Sequence, residues 1–90
     1  GGAMPLAGLQ ILAGLGAGNE LVLEKALTTL GKPGVQTAVI TRRPQGYFLS
    51  YLDGVGLPLV NGTPIGSHAH MLQDHDIIEL AGIRMEYYLK

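Results

Sequence analysis

The stretch Val60–Tyr88, VNGTPIGSHAHMLQDHDIIELAGIRMEYY, decides the fold. It opens on a tight turn at Asn61-Gly62, crosses a polar loop that holds His68, His70 and His75, and closes as a β-hairpin. In the last strand Ile83, Met85, Tyr87 and Leu89 alternate with Arg84, Glu86, Tyr88 and Lys90, so one face is apolar and the other meets water. Ala81-Gly82 supplies the turn from the preceding strand, Asp76 to Leu80. Turn, loop and hairpin in that order point to a small recognition module and away from an enzyme.

Upstream the same strand chemistry continues. Leu9 to Leu12 is a short apolar strand, Ala13 to Gly18 is too glycine-rich to extend it, and Asn19 to Leu23 returns as its partner. The glycines at 14, 16 and 18 have the look of a phosphate cradle. Such a cradle needs a helix directly after it, however, and Asn19 to Leu23 alternates like a strand, so a hairpin turn is expected. Ala26 to Leu30, with β-branched Thr28-Thr29, reads as a third strand that Gly31-Lys32-Pro33-Gly34 ends. Val35 to Thr41 and Tyr47 to Leu52 are rich in strand-forming residues, and Arg43-Pro44-Gln45-Gly46 between them suits a type I turn. The expected fold is all-β: a small β-sandwich of antiparallel strands.

Composition limits the function. A chain of 90 residues fits one domain and buries roughly 60 to 65% of its unfolded surface, which leaves little room for a deep pocket. Function is therefore expected on the surface. Six Lys or Arg against seven Asp or Glu give a net charge of −1, so no whole-chain field favours nucleic acid or an anionic membrane. The apolar runs are broken by glycine well short of the ~20 residues that cross a bilayer. With no cysteine there is neither a disulfide framework nor thiolate chemistry, which fits a cytoplasmic setting. Gly1-Gly2-Ala3-Met4 reads as an expression scar, leaving residues 5–90 as a single domain; the native chain is longer if Met4 came from cloning.

These residues resemble the forkhead-associated (FHA) domain, a β-sandwich of about this size. Its usual ending is a Val-Asn-Gly turn, two spacer residues, an Ile or similar, a variable loop, Leu, then Gly-Asp and two terminal strands. Val60-Asn61-Gly62, Ile65, Leu72, Asp74-His75-Asp76, Ile78 and Gly82 stand in those places, and the similarity reaches back through Leu30-Gly31 and Ala13-Gly14. It implies a non-catalytic protein-interaction module of the adaptor or signalling kind and, as a family impression, a bacterial source.

The resemblance fails where phosphothreonine-binding members hold their ligand. They carry Gly-Arg after the third strand, a Ser and a His soon after, and an Asn-Gly ahead of the Val-Asn-Gly. Here Gly31-Lys32 replaces Gly-Arg, keeping the charge and losing the bidentate fork. Gly34 and Thr37 stand in the Ser and His positions, and only five residues separate Gly31 from Thr37, so the middle region is shortened. Leu72 follows Asn61 by eleven positions, which assigns Asn61-Gly62-Thr63 to the later, structural motif and puts Gly56 in the place of the first asparagine. Asn61 is accordingly expected to bond nearby backbone, with Gly62 allowing positive φ and Gly31 marking a structural turn.

The expected site is thus a degenerate phosphothreonine site that works without phosphate, on a protein partner. The alternative is a phosphopeptide reader in which Lys32, Arg42 and Arg43, with Thr37, supply new contacts to a phosphorylated or acidic partner; Lys32 helps only if its loop and that of the arginines lie at the same end. A further alternative uses His68 and His70, which at i and i+2 on a strand would face one way, as metal ligands. No cofactor is implied. Ser50 and Ser67 are the only serines, and the carboxylates are scattered, so no catalytic set is organised. Arg42-Arg43 reads first as a solvated charged turn and second as a partner contact, Tyr88 as a partner contact on the polar face, and an open edge strand as a route to self-association.

Overall fold

The computed structural model describes residues 5–90. The Gly1–Met4 scar assigned from sequence lies outside the described residues. Ten strands follow in order: β1 (Ala7–Ala13), β2 (Glu20–Val22), β3 (Leu27–Lys32), β4 (Gln36–Arg43), β5 (Gly46–Gly54), β6 (Leu59–Val60), β7 (Thr63–Pro64), β8 (His70–Met71), β9 (Ile77–Leu80) and β10 (Ile83–Leu89). They form two antiparallel sheets, one ordered β2-β1-β10-β9-β6-β7 and the other β3-β4-β5-β8. Among the described residues no helix is long and apolar enough to cross a membrane. The all-β sandwich expected from the period-two runs is the architecture observed.

Alternation sends one side chain in two to the space between the sheets. Leu9 and Ile11 of β1, Ala38 and Ile40 of β4, Tyr47 and Leu49 of β5, Ile78 and Leu80 of β9, and Met85 and Tyr87 of β10 are all buried there. Loop residues Leu23, Ile65 and Leu72 seal the ends of this core. At about 1.5–3 kcal/mol per large side chain, this layer supplies most of the driving force for folding. Tyr47 and Tyr87 meet at 5.7 Å between ring centroids, tilted by 58°. Burial, with Tyr47 alongside, pushes the Tyr87 phenol up to about 12. The Tyr47 hydroxyl lies 2.8 Å from the carbonyl oxygen of Pro5 and 3.0 Å from that of Leu23, and shares its proton between them. This fastens the N-terminal segment over the core.

Two turns show how sequence chemistry fixes register. Val60 pairs with Thr63 across Asn61-Gly62, and both central residues have positive φ, 52° and 82°, the geometry of a type I′ turn that Asn-Gly favours. The Asn61 amide then reaches across to the start of β9: its oxygen accepts the Ile77 N–H at 2.9 Å and its nitrogen donates to the Asp76 carboxylate at 2.9 Å. Its side chain thus bonds a carboxylate as well as backbone.

Gly31 differs from its reading as a turn residue. It lies inside β3, paired with Thr37, and the turn proper is Pro33 to Val35. Its φ of +100° brings the backbone so close to β4 that an added Cβ would stand 2.2 Å from the Gln36 carbonyl oxygen. Glycine is needed there for close approach of two strands, not for chain reversal.

Candidate functional site

Loops gather at one end of the sandwich because β3–β4, β5–β6 and β9–β10 all reverse there. Gln36 holds them together. It begins β4 at the inward parity of Ala38 and Ile40, and its side chain is buried, 9% exposed. The amide nitrogen donates to the Gly56 carbonyl at 2.8 Å, and the amide oxygen accepts the Ala81 N–H at 2.8 Å. Val55 N–H adds a bond to the Val35 carbonyl at 3.1 Å. One buried amide thus fixes two loops relative to β4, and a satisfied buried amide is a positional constraint.

The surface so fixed is mainly apolar. Val35, Val55 and Leu57 project from it, 45%, 91% and 44% exposed. Beside them runs a groove of about 370 Å³, lined by Leu57, Leu59 and Ile83 with Gln36, and bordered by Glu79 and Arg84. Glu79 and Arg84 are cross-strand partners in the β9–β10 ladder. Lys32 is exposed at the β3 end of this rim, and Thr37 lies half-buried five residues on, on the outer face of its sheet.

Arg42 and Arg43 are elsewhere. They end β4, whereas Lys32 pairs with Gln36 at its start; seven residue steps at ~3.3 Å put about 23 Å between them. The condition for a shared cationic site, loops at one end, is not met. Arg42 turns instead to carbonyls, donating to Glu24 at 3.0 Å and Pro5 at 3.3 Å, and Arg43 stacks 5.0 Å over the Phe48 ring. Both arginines hold together the end of the sandwich opposite the rim. A phosphate site that joins Lys32 to Arg42 and Arg43 is therefore corrected by the antiparallel course of β4.

The histidines also part company. Only His70 enters a strand, pairing with Leu49, and His68 stays in the preceding bend, so the expectation that both face one way from a strand is not met. Among the described residues no three His, Cys, Asp or Glu side chains are grouped to hold a metal ion. His75 has positive φ, 73°, and its Nδ1 lies 2.7 Å from Glu86. That bond first, and the charge of Asp74 second, raise its pKa above the usual value. Tyr88, expected to be open for a partner, hydrogen-bonds Glu20 on β2, with Lys90 5.6 Å above its ring.

Sequence reasoning missed Gln36. The available signal was a polar residue at the buried parity of a Val/Ile/Thr-rich strand, but its partners lie 20 and 45 positions away.

Two layers of short antiparallel strands, with a loop rim at one end, make a small β-sandwich. The fold is that of a forkhead-associated domain. A solved structure from work on phosphothreonine-dependent FHA domain interactions superposes with a TM-score of 0.75 at 20% identity, over 94% of this chain and 97% of that one. The Rv0020c FHA structure gives a TM-score of 0.76 at 20% identity, over 100% and 98%. No protein-family model matches the sequence, and no curated protein matches it. At this identity, fold is what the chains share.

Proposed function

We propose that this domain is a non-catalytic protein-interaction module whose loop rim binds its partner without requiring phosphate. The observation that carries the reading is the chemistry of the Gln36-tied end: Val35, Val55 and Leu57 project where a phosphate would need several converging donors. Lys32 offers one point charge there and no planar fork. The groove behind these residues is apolar, with Glu79 and Arg84 at its border, the composition of a surface that takes an apolar side chain of an extended partner segment and orients it by flanking polar contacts.

A reader built on Lys32, Arg42 and Arg43 is disfavoured by the distance along β4. Binding by an arrayed phosphothreonine peptide library and its unphosphorylated twin, read by fluorescence anisotropy, tests the proposal. Hits are expected to bind equally in both forms and to weaken at least tenfold in Val55→Asp or Leu57→Asp, the loss of one buried apolar contact plus a stranded charge. A tenfold or greater gain on phosphorylation overturns it.

A further inference from the structure

A sandwich of two open sheets has four edge strands, and here three of them are short: β2 has three residues, β7 and β8 two each. Short edges are a common protection against pairing with other chains. The fourth edge, β3, has six residues. Its ladder with β4 fixes which backbone groups remain open. Ala26 accepts from the Arg42 N–H at 2.9 Å, so even-numbered residues bond β4 and the N–H and C=O groups of Leu27 and Thr29 point away from it. Leu27 is 60% exposed. Alongside runs an apolar groove of about 240 Å³, between Thr29, Leu30 and Gly31 on one side and Ile11, Leu15 and Leu21 on the other.

We propose that β3 is a self-association edge, and that a second copy of this chain pairs with it antiparallel about a two-fold axis at Thr28. Antiparallel pairing about an axis normal to the sheet keeps inner faces together, so opposed residues share parity and the axis falls on a residue. Centring on Thr28 lets Leu27 and Thr29 of each copy exchange all four of their open groups and sets Gly31 opposite Lys25, in the bend where the ladder ends. Carried past the start of β3 at Leu27, through the bend at Lys25-Ala26, the same register brings Lys32 of each copy towards Glu24 of the other. Among the described residues neither side chain has an ion-pair partner within the chain. A lysine at an edge ordinarily deters pairing. Two-fold complementarity to Glu24 makes it favour this one partner, which is why a second copy is the occupant and an arbitrary strand is not. The two sheets become one of eight strands.

Sedimentation equilibrium across a concentration series is expected to show a reversible dimer. Lys32→Glu sets two like-charged pairs in opposition and raises the dissociation constant roughly fivefold or more, at about half a kcal/mol for each exposed pair lost; adding Glu24→Lys restores it. Register is read by single cysteines in a chain that has none. Thr28→Cys brings two thiols to a non-hydrogen-bonded pair with Cα atoms about 4.5 Å apart, within disulfide reach. Thr29→Cys leaves them about 8 Å apart, beyond it. Oxidised dimer from Thr28→Cys and little from Thr29→Cys supports the pairing. A monomer at every concentration, equal cross-linking of the two variants, or no rescue by the charge swap overturns it.

Discussion

Replacing Gln36 by Met tests whether one amide organises the rim. Methionine has nearly the volume and flexibility of glutamine, so no cavity opens and the change isolates the two hydrogen bonds. The Ala81 N–H, which the Gln36 oxygen satisfies at 2.8 Å in a part-buried position, is left without its acceptor, at a cost of about 1–3 kcal/mol. The Gly56 carbonyl, at 2.8 Å from the amide nitrogen, lies on an exposed residue and regains water, so its loss is nearer ~0.5 kcal/mol. The sum is roughly 2–3 kcal/mol. For a chain of 90 residues, an unfolding entropy of about 2.1 cal/mol/K per residue converts this to a fall in Tm of roughly 10–15 °C.

Circular dichroism melts and urea titration give the stability, and amide exchange gives the location: Ala81 loses protection well before the ladder between β4 and β5. Gln36→Glu separates the two bonds. The carboxylate still accepts from Ala81 and opposes the Gly56 carbonyl, so its folded-state pKa is raised and the variant regains stability as pH falls. A Gln36→Met protein within ~0.5 kcal/mol of the parent, with Ala81 still protected, refutes the argument.

Asn61→Gly keeps the positive φ and loses two side-chain bonds, about 1–2 kcal/mol, whereas Asn61→Ala adds the cost of a left-handed alanine and is expected to be less stable still; urea midpoints that reverse this order refute it. Gly31→Ala, with its Cβ driven to 2.2 Å from the Gln36 carbonyl, is expected to cost ~3 kcal/mol or more and to separate β3 from β4, which a loss of amide protection at Leu30 and Ala38 would report. Tyr47→Phe removes the donor shared by Pro5 and Leu23, lowering stability by about 1–2 kcal/mol and exposing the N-terminal segment to proteolysis first. His75 has a folded-state pKa above its ordinary 6.5, so its contribution is complete below that value and fades as pH rises through the raised pKa. The stability gap between the protein and His75→Ala should narrow in that direction, and a gap that widens with pH contradicts the assignment.

Local signals were legible, and long-range ones were not. The alternation from Ile83 to Tyr87 and the Asn61-Gly62 turn are set by neighbours two or three residues away, so sequence alone identifies them. At Leu89, paired with the buried Ala7 at the end of the ladder, the same pattern gives out and the residue is half-exposed. Gly31 looked like a turn because Gly-Lys-Pro-Gly is turn chemistry throughout, but the constraint that requires glycine comes from the Gln36 carbonyl on the neighbouring strand. Arg42 looked solvated because the carbonyls that engage it, at Pro5 and Glu24, are 37 and 18 positions away. Tyr88 looked free for the same reason, its Glu20 partner being 68 residues distant.

The positions where the resemblance looks for phosphate contacts and the residue that organises the rim are neighbours, and this bears on what the end of the sandwich can do. Gly34 has no side chain and Thr37 adds only a neutral hydroxyl beside Lys32, while Gln36 between them turns inward and spends both halves of its amide on Gly56 and Ala81. A residue committed in this way cannot also reach a ligand without releasing a loop. Rigidity at the rim therefore comes from an internal bond, where a phosphate reader could draw it from its ligand. A rim ordered in advance loses less entropy on binding, so under the proposed function modest apolar contacts at Val35, Val55 and Leu57 would suffice. By the same reasoning, Gln36→Met should weaken partner binding even though its side chain touches no partner, and should do so through a slower association rate, because fewer encounters meet the rim in its bound arrangement.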